Sequence, residues 1–267
     1  MGCLAVAAAL AIPFHFVGLV VAFDWNGTNR SSPSSVYRRF AGASLSTLMT
    51  LLTTSFILKS YSAESLSSLL GLHLEGSASI ILCISIHTTL IYLADLVDFI
   101  VQFDARLVKD TVFCLDWIRI TILAPVTEEL VFRGCACRLL SLSFGDSAAT
   151  WLAPSLFAIC HLNLTIDDRR RGIPFSDSFK SRLGQVVYTY AFGVYAAFLF
   201  FRTGRILAPI VCHAICNNFG LPIVLYLSSV QPSAYRYLLL LLSFVGLASF
   251  ISAYSLLTNP EIFKIGA

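Results

Sequence analysis

A polytopic bundle of about eight transmembrane helices, all-α, is the fold class this sequence predicts, and three observations carry the prediction. Of its 267 residues 57% are hydrophobic and 12% charged, where a soluble domain carries about a quarter charged residues. Mean hydropathy is +0.80. The apolar residues lie in long runs close to the ~20 residues that cross a ~30 Å hydrocarbon core, and the short alternating segments of a membrane barrel are missing.

Taken in order, the expected spans are 4–23, 40–58, 80–101, 117–140, 148–161, 186–201, 206–226 and 237–257. The first starts almost at Met1 with no Lys or Arg before it and no A-x-A cleavage pattern after it, so it reads as a retained helix. Gly2 and Cys3 open like a myristoylation site, but Val6 stands where Ser or Thr is required, and the C-terminal Ile265-Gly266-Ala267 is no lipidation signal. Turn residues punctuate the connections: Asn26-Gly27, Ser31-Ser32-Pro33, Gly145-Asp146, Gly172-Ile173-Pro174, Thr203-Gly204 and Gln231-Pro232. None of these connections is long enough for a further domain, so residues 1–267 read as one transmembrane domain with a motif-bearing core at about 117–226.

Charge and cysteine usage narrow the class. A net charge of +3 without a basic stripe interleaved with aromatics argues against a nucleic-acid partner. Of the eight Cys, Cys83, Cys135, Cys160, Cys212 and Cys216 fall in apolar runs, where reduced buried thiols are expected. Cys135 and Cys137 lack the matching His or Cys spacing of a metal site.

The odd-numbered loops carry Arg30, Arg38, Arg39, Arg106, Lys109, Arg169, Arg170, Arg171, Lys180, Arg182 and Arg236, against Lys59, Arg202 and Arg205 in the even ones. The positive-inside rule therefore puts the odd loops in the cytosol. Asn26-Gly27-Thr28 and Asn29-Arg30-Ser31 point the other way, being glycosylation acceptors that need a lumenal first loop. The charge asymmetry is weighted more heavily, because such tripeptides recur by chance.

Ionisable groups inside a span cost at least ~2.5 to 3.5 kcal/mol each, so they are paired, interior-facing or functional. The fourth span holds Glu128, Glu129 and Arg133. One helical turn separates Glu129 from Arg133, which can pair, while Glu128 is rotated by about 100° and points elsewhere. An interhelical salt-bridge cluster is the bland reading, and a second carboxylate beside the pair weakens it. His161 ends the fifth span. His213 and Asn217, four residues apart in the seventh, share a face and can both donate to a developing oxyanion, or form an interhelical clasp. A carboxylate base, an imidazole and two oxyanion donors are the inventory for amide hydrolysis by activated water. A zinc site of Glu128, His161 and His213 is the minor alternative, since no H-E-x-x-H occurs. His87, Asp95 and Asp98 add a polar seam in the third span, without an assigned role.

Glu128-Glu129-Leu130-Val131-Phe132-Arg133, Phe157-Ala158-Ile159-Cys160-His161 and His213-Ala214-Ile215-Cys216-Asn217, in this order, resemble the three motifs of the glutamate-type CAAX prenyl endopeptidases, type II. The stretch 192–205, Phe-Gly-Val-Tyr-Ala-Ala-Phe-Leu-Phe-Phe-Arg-Thr-Gly-Arg, is similar to the eukaryotic, Ras-converting branch. The resemblance is clear over about 123–220 and weak before it. It implies an eight-helix membrane protease, needing no metal or other cofactor, that removes the last three residues from farnesylated or geranylgeranylated CaaX proteins such as Ras-type GTPases. It also implies a place in the endoplasmic reticulum membrane with the site open to the cytosol. On that reading Glu128 and His161 activate water, His213 and Asn217 hold the oxyanion, and Glu129 with Arg133 positions the site. Arg133 is alternatively the receptor for the substrate carboxylate. The rival from another class is a proton-coupled transporter with a Glu/His relay, against which the lack of an inverted repeat counts; a non-catalytic scaffold of the same family is the third reading.

Overall fold

A computed structural model describes residues 2–27, 29–73, 75–229 and 233–264, and every regular element among them is helical. The first half contains α1 (Gly2–Phe23), α2 (Pro33–Lys59), α3 (Leu66–Leu69), α4 (Ser77–Ile91), α5 (Leu93–Val101), α6 (Ala105–Thr111) and α7 (Leu115–Ile118). The remainder contains α8 (Ala124–Glu129), α9 (Arg138–Cys160), α10 (Leu164–Arg170), α11 (Phe175–Thr203), α12 (Leu207–Phe219) and α13 (Ser233–Leu257). Among the described residues five helical stretches are long and apolar enough to cross a membrane, and a sixth counts if the pair α4 and α5, bent by 84°, is one span. The chain is therefore a multi-pass membrane protein.

Eight separate long helices are not what the structure shows, and the differences have local causes. The expected third span breaks at Tyr92, between α4 and α5. The expected seventh is a 13-residue helix, α12, followed by a 3-10 segment at Ile223–Ser229. The fourth and fifth run as one 56-residue helical stretch, Leu115–Arg170, broken inside α9 where Gly145 takes φ 77°. Only glycine adopts that backbone without strain, so the turn sits at the Gly145-Asp146 signal.

The chain divides into two compact units, Met1–His73 with Val126–Pro209, and Leu74–Pro125 with Ile210–Ala267. In the first unit α1 lies along α2 and α9, and α11 packs on α9. Small residues permit the close approach: Ala5 and Ala9 are fully buried in α1, and a Cβ on Gly42 of α2 would stand 2.7 Å from the Leu19 carbonyl oxygen. Two buried hydroxyls on α2 meet His15 of α1, whose Nδ1 lies 2.8 Å from Ser46 Oγ and whose Nε2 lies 3.4 Å from Thr50 Oγ1. In the second unit α13 packs on α4 and α5, with Gly246 against the Leu90 carbonyl.

The seam residues of that unit are bonded to protein. His87 Nε2 donates to the Phe250 carbonyl at 3.0 Å, and its ring stacks on Phe250. Asp95 accepts from the Ile223 amide at 2.9 Å and Asp98 from the Tyr235 hydroxyl at 2.9 Å. The two carboxylates thus cap and anchor the segments that follow α12.

One polar network fixes the side of the membrane on which two loops meet. Asp24, at the end of α1, is buried and accepts from Ser35, from Arg38 at 2.7 and 2.9 Å, and from Arg39 at 2.7 Å. Arg39 then donates twice to Asp167 of α10, at 2.9 and 3.1 Å, and Arg170 reaches the carbonyls of Trp25 and Gly27. The first loop and the loop after His161 therefore occupy the same face. Burial raises the pKa of Asp24, but the hydrogen bonds from Ser35, Arg39 and Arg38 outweigh it and hold the carboxyl below its usual range. A depressed carboxyl stabilises the fold above its unfolded pKa, ~3.9, and that contribution is lost as pH falls through the folded value. We expect Asp24→Asn to lower the unfolding temperature at pH 7, with the difference from wild type shrinking below about pH 4; a constant difference between pH 3 and 7 contradicts this linkage.

Candidate active site

The span that carries the carboxylates is not a uniform α-helix. Residues Arg119–Leu123 and Leu130–Cys137 are π-helical and bracket α8, and such widened turns gather at functional sites. Pro125 explains the first. It has no N–H to give and its ring collides with the carbonyl four residues back, so the helix widens and Ala124 N–H bonds to the Arg119 carbonyl. The Ile120 carbonyl then loses both helical donors, Ala124 being committed and Pro125 having none. Asn217 supplies the replacement, its Nδ2 donating to Ile120 O at 2.8 Å. Next to it Asn218 donates to Thr121 Oγ1 at 3.0 Å and accepts from Trp117 Nε1 at 2.9 Å.

Glu129 and Arg133 pair as their spacing predicts, Arg133 Nη1 donating to Glu129 Oε1 at 2.9 Å, despite the π geometry between them. Both side chains are buried, 0 and 1% exposed. The guanidinium lies 4.5 Å from the Phe157 ring centre and 5.5 Å from that of Phe192, a cation-π enclosure suited to a charge without water. A Cβ at Gly193 would come within 2.9 Å of Pro154 and 3.3 Å of Arg133 Nη2, so only glycine leaves that enclosure intact.

Glu128 and His161 come together. Both line a small cavity of about 80 Å³, partly open to the outside, with Phe16, Phe132, Phe157, Cys160, Asn163, Leu164 and Arg30. Glu128 lies on α8, and His161 opens the 3-10 turn His161–Asn163 that follows α9. His161 Nδ1 lies 3.2 Å from the Phe157 carbonyl, an oxygen that can only accept. Nδ1 therefore holds the proton in the neutral ring, and Nε2 carries the lone pair. The Phe157 ring meets the imidazole edge-on at 4.9 Å, which fixes its plane.

His213 and Asn217 stand on α12, in the second unit. His213 is buried and Asn217 exposed on that helix. Among the described residues no group of three His, Cys, Asp or Glu is arranged to hold a metal ion. All eight cysteines are thiols; Cys135, Cys137, Cys160 and Cys212 are buried, Cys83 and Cys216 half-buried.

Arg30 was missed by sequence reasoning, which treats it only as a loop charge. No periodicity places a loop arginine against the end of a distant helix. The acidic partners Asp24 and Asp167 were missed for a related reason, since topology rules weigh Lys and Arg and ignore carboxylates.

Membrane-length helices with a carboxylate and an oriented imidazole lining one cavity define a multi-pass membrane protein with a candidate site in its first unit. Residues 110–219 match the model of the Type II CAAX prenyl endopeptidase Rce1-like family. CAAX prenyl protease 2 of Caenorhabditis elegans is 34% identical over 259 residues, spanning 94% of this chain and 96% of that protein. The Homo sapiens protein of the same name is 30% identical over 276 residues, 97% of this chain and 82% of the relative. That of Arabidopsis thaliana is 32% identical over 256 residues, 83 and 81% of the two chains. No solved structure matches. The chain belongs to the type II CAAX prenyl endopeptidase family.

Proposed function

We propose that this chain is an intramembrane endopeptidase that removes the C-terminal tripeptide from prenylated CaaX proteins. The observation that carries the reading is the shared cavity of Glu128 and His161 in a member of this family. In the step proposed, Glu128, assisted by His161, takes a proton from water while the hydroxide oxygen bonds to the carbonyl carbon of the prenylated cysteine. The carbonyl becomes an oxyanion; its collapse breaks the C–N bond, and the departing amine of the tripeptide takes up the proton. No metal ion or other cofactor enters this chemistry. The prenyl chain partitions into lipid at about 0.8 kcal/mol per buried CH₂ and concentrates the scissile bond at the membrane.

His213 and Asn217 hold the oxyanion in this proposal, supported by their donor chemistry and i, i+4 spacing on α12. The Asn217 amide has two hydrogens, so its bond to Ile120 leaves one to donate. His213→Ala and Asn217→Ala should each lower kcat by about 10² to 10³ on a farnesylated CaaX peptide, with little change in KM. A rise in KM at constant kcat moves both residues out of the transition state.

The substrates proposed are farnesylated or geranylgeranylated proteins such as Ras-type GTPases, which are prenylated in the cytosol, so the site should open to that side of the endoplasmic reticulum membrane. Because Asp24, Arg39, Asp167 and Arg170 tie the first loop to the one beside His161, both loops should be cytosolic. Neither Asn26 nor Asn29 should then carry glycan. An endoglycosidase-sensitive mobility shift, lost in Asn26→Gln or Asn29→Gln, would put this face in the lumen.

A further inference from the structure

We infer that Tyr92 and Asp95, at the break between α4 and α5, are positioning residues for α12, fixing where His213 and Asn217 stand when the oxyanion forms. The inference rests on the oxyanion reading above and gives a role to two residues which that reading leaves unused. All the groups concerned lie within the second unit.

α12 ends at Phe219. Gly220 takes φ 73° and its N–H closes the last turn on the Cys216 carbonyl at 2.8 Å, while Pro222 has no N–H to contribute. A carbonyl just past a helix end lacks an intrahelical donor and must be met by another group. The break between α4 and α5 supplies it. Tyr92, 2% exposed, donates its hydroxyl to the Gly220 carbonyl at 3.0 Å and stacks its ring on Phe219, with centres 4.9 Å apart and planes at 15°. Asp95 accepts from the Ile223 amide at 2.9 Å, where the 3-10 segment begins. The other polar residues of this seam bond elsewhere, Asp98 to Tyr235 and His87 to the Phe250 carbonyl, so they hold α13 and not α12.

Phe219 lies two residues beyond Asn217, ~3 Å along the helix axis, so a clamp on Phe219 and Gly220 sets the position of Asn217 directly. On its other side Asn217 is tied to the Ile120 carbonyl at 2.8 Å. An oxyanion donor acts only when held at ~2.7 to 3.1 Å from the developing charge, and a 1 Å misplacement can cost ~10² in rate. Tyr92 and Asp95 therefore act through α12, without touching substrate.

Tyr92→Phe removes the hydroxyl and keeps the ring on Phe219. On a farnesylated CaaX peptide, with full-length protein in proteoliposomes, it should lower kcat about tenfold and leave KM within about twofold. In an Asn217→Ala background the same substitution should cost at most about twofold, because the nearer donor is already gone, whereas a loss of folded protein would scale both backgrounds alike. Asp95→Asn keeps an oxygen that accepts from the Ile223 amide and should hold kcat within about threefold, while Asp95→Ala should lose about tenfold. Wild-type kcat in Tyr92→Phe, a cost undiminished without Asn217, or equal losses in the two Asp95 variants overturns the assignment. Where Tyr92→Phe does not fold, the Asp95 pair decides alone. If His213→Ala and Asn217→Ala themselves keep wild-type kcat on a peptide that wild type cleaves, the oxyanion reading fails, and the positioning role with it.

Discussion

Glu128→Ala and His161→Ala should each reduce cleavage of a farnesylated CaaX peptide by at least ~10² to 10⁴, the range that positioned general acid-base groups contribute, while the protein remains folded in the membrane. The expectation follows from geometry. Both side chains line one cavity, and the Phe157 carbonyl fixes the tautomer that leaves Nε2 of His161 able to accept a proton. The two effects should also be strongly non-additive, because the groups act on the same water: the double variant should be little worse than either single one. Steady-state kinetics on the reconstituted variants would show it. If either single variant turned over at near wild-type rate, water activation by this pair would be wrong.

The largest loss of stability is expected at the neighbouring pair. Glu129 and Arg133 are both buried and bonded to each other at 2.9 Å, so removing one strands a charge where no water can reach it. Breaking such a pair costs ~3 to 5 kcal/mol, whereas replacing both partners with apolar residues is often neutral. Glu129→Ala and Arg133→Ala should therefore unfold at markedly lower temperature. Glu129→Leu combined with Arg133→Met should recover much of that stability and still lack activity, since Phe157 and Phe192 would lose the cation that holds them. A double variant no more stable than the singles would mean that the pair acts through something other than mutual neutralisation.

The contrast between these two pairs shows what the sequence made legible. Membrane-length apolar runs give their own number roughly and their own class plainly, because hydrocarbon solvation leaves helices as the economical solution for a chain with so few charges. The i, i+4 spacing of Glu129 and Arg133 sufficed to pair them, even though the backbone between them is π-helical. Its failure points are equally physical. Tyr92 carries no breaker signal, so the 84° bend between α4 and α5 follows from packing against α13 and from the Asp95 and Asp98 bonds. Pro125 did carry a signal, and its consequence, an Ile120 carbonyl in need of Asn217, required knowing where α12 lies. Arg30 enters the cavity from a loop anchored by Asp167, a contact across more than a hundred positions of sequence that no local pattern encodes.

On the proposed reading Asn217 has two duties. Its bond to the Ile120 carbonyl supports the widened turn ahead of α8, and its remaining hydrogen is the one assigned to the oxyanion. Asn217→Asp, which keeps size and removes both donors, should therefore impair folding and turnover together, whereas His213→Ala should impair turnover more selectively.

The most direct measurement of the central claim is mass spectrometry of a farnesylated CaaX peptide incubated with the purified protein in proteoliposomes, with Glu128→Ala alongside. The account predicts a single pair of products from wild type, the intact tripeptide and a peptide ending in farnesylated cysteine with a free carboxylate, and neither product from the variant. Cleavage at any other bond, or the same two products from Glu128→Ala at a rate near wild type, would contradict it.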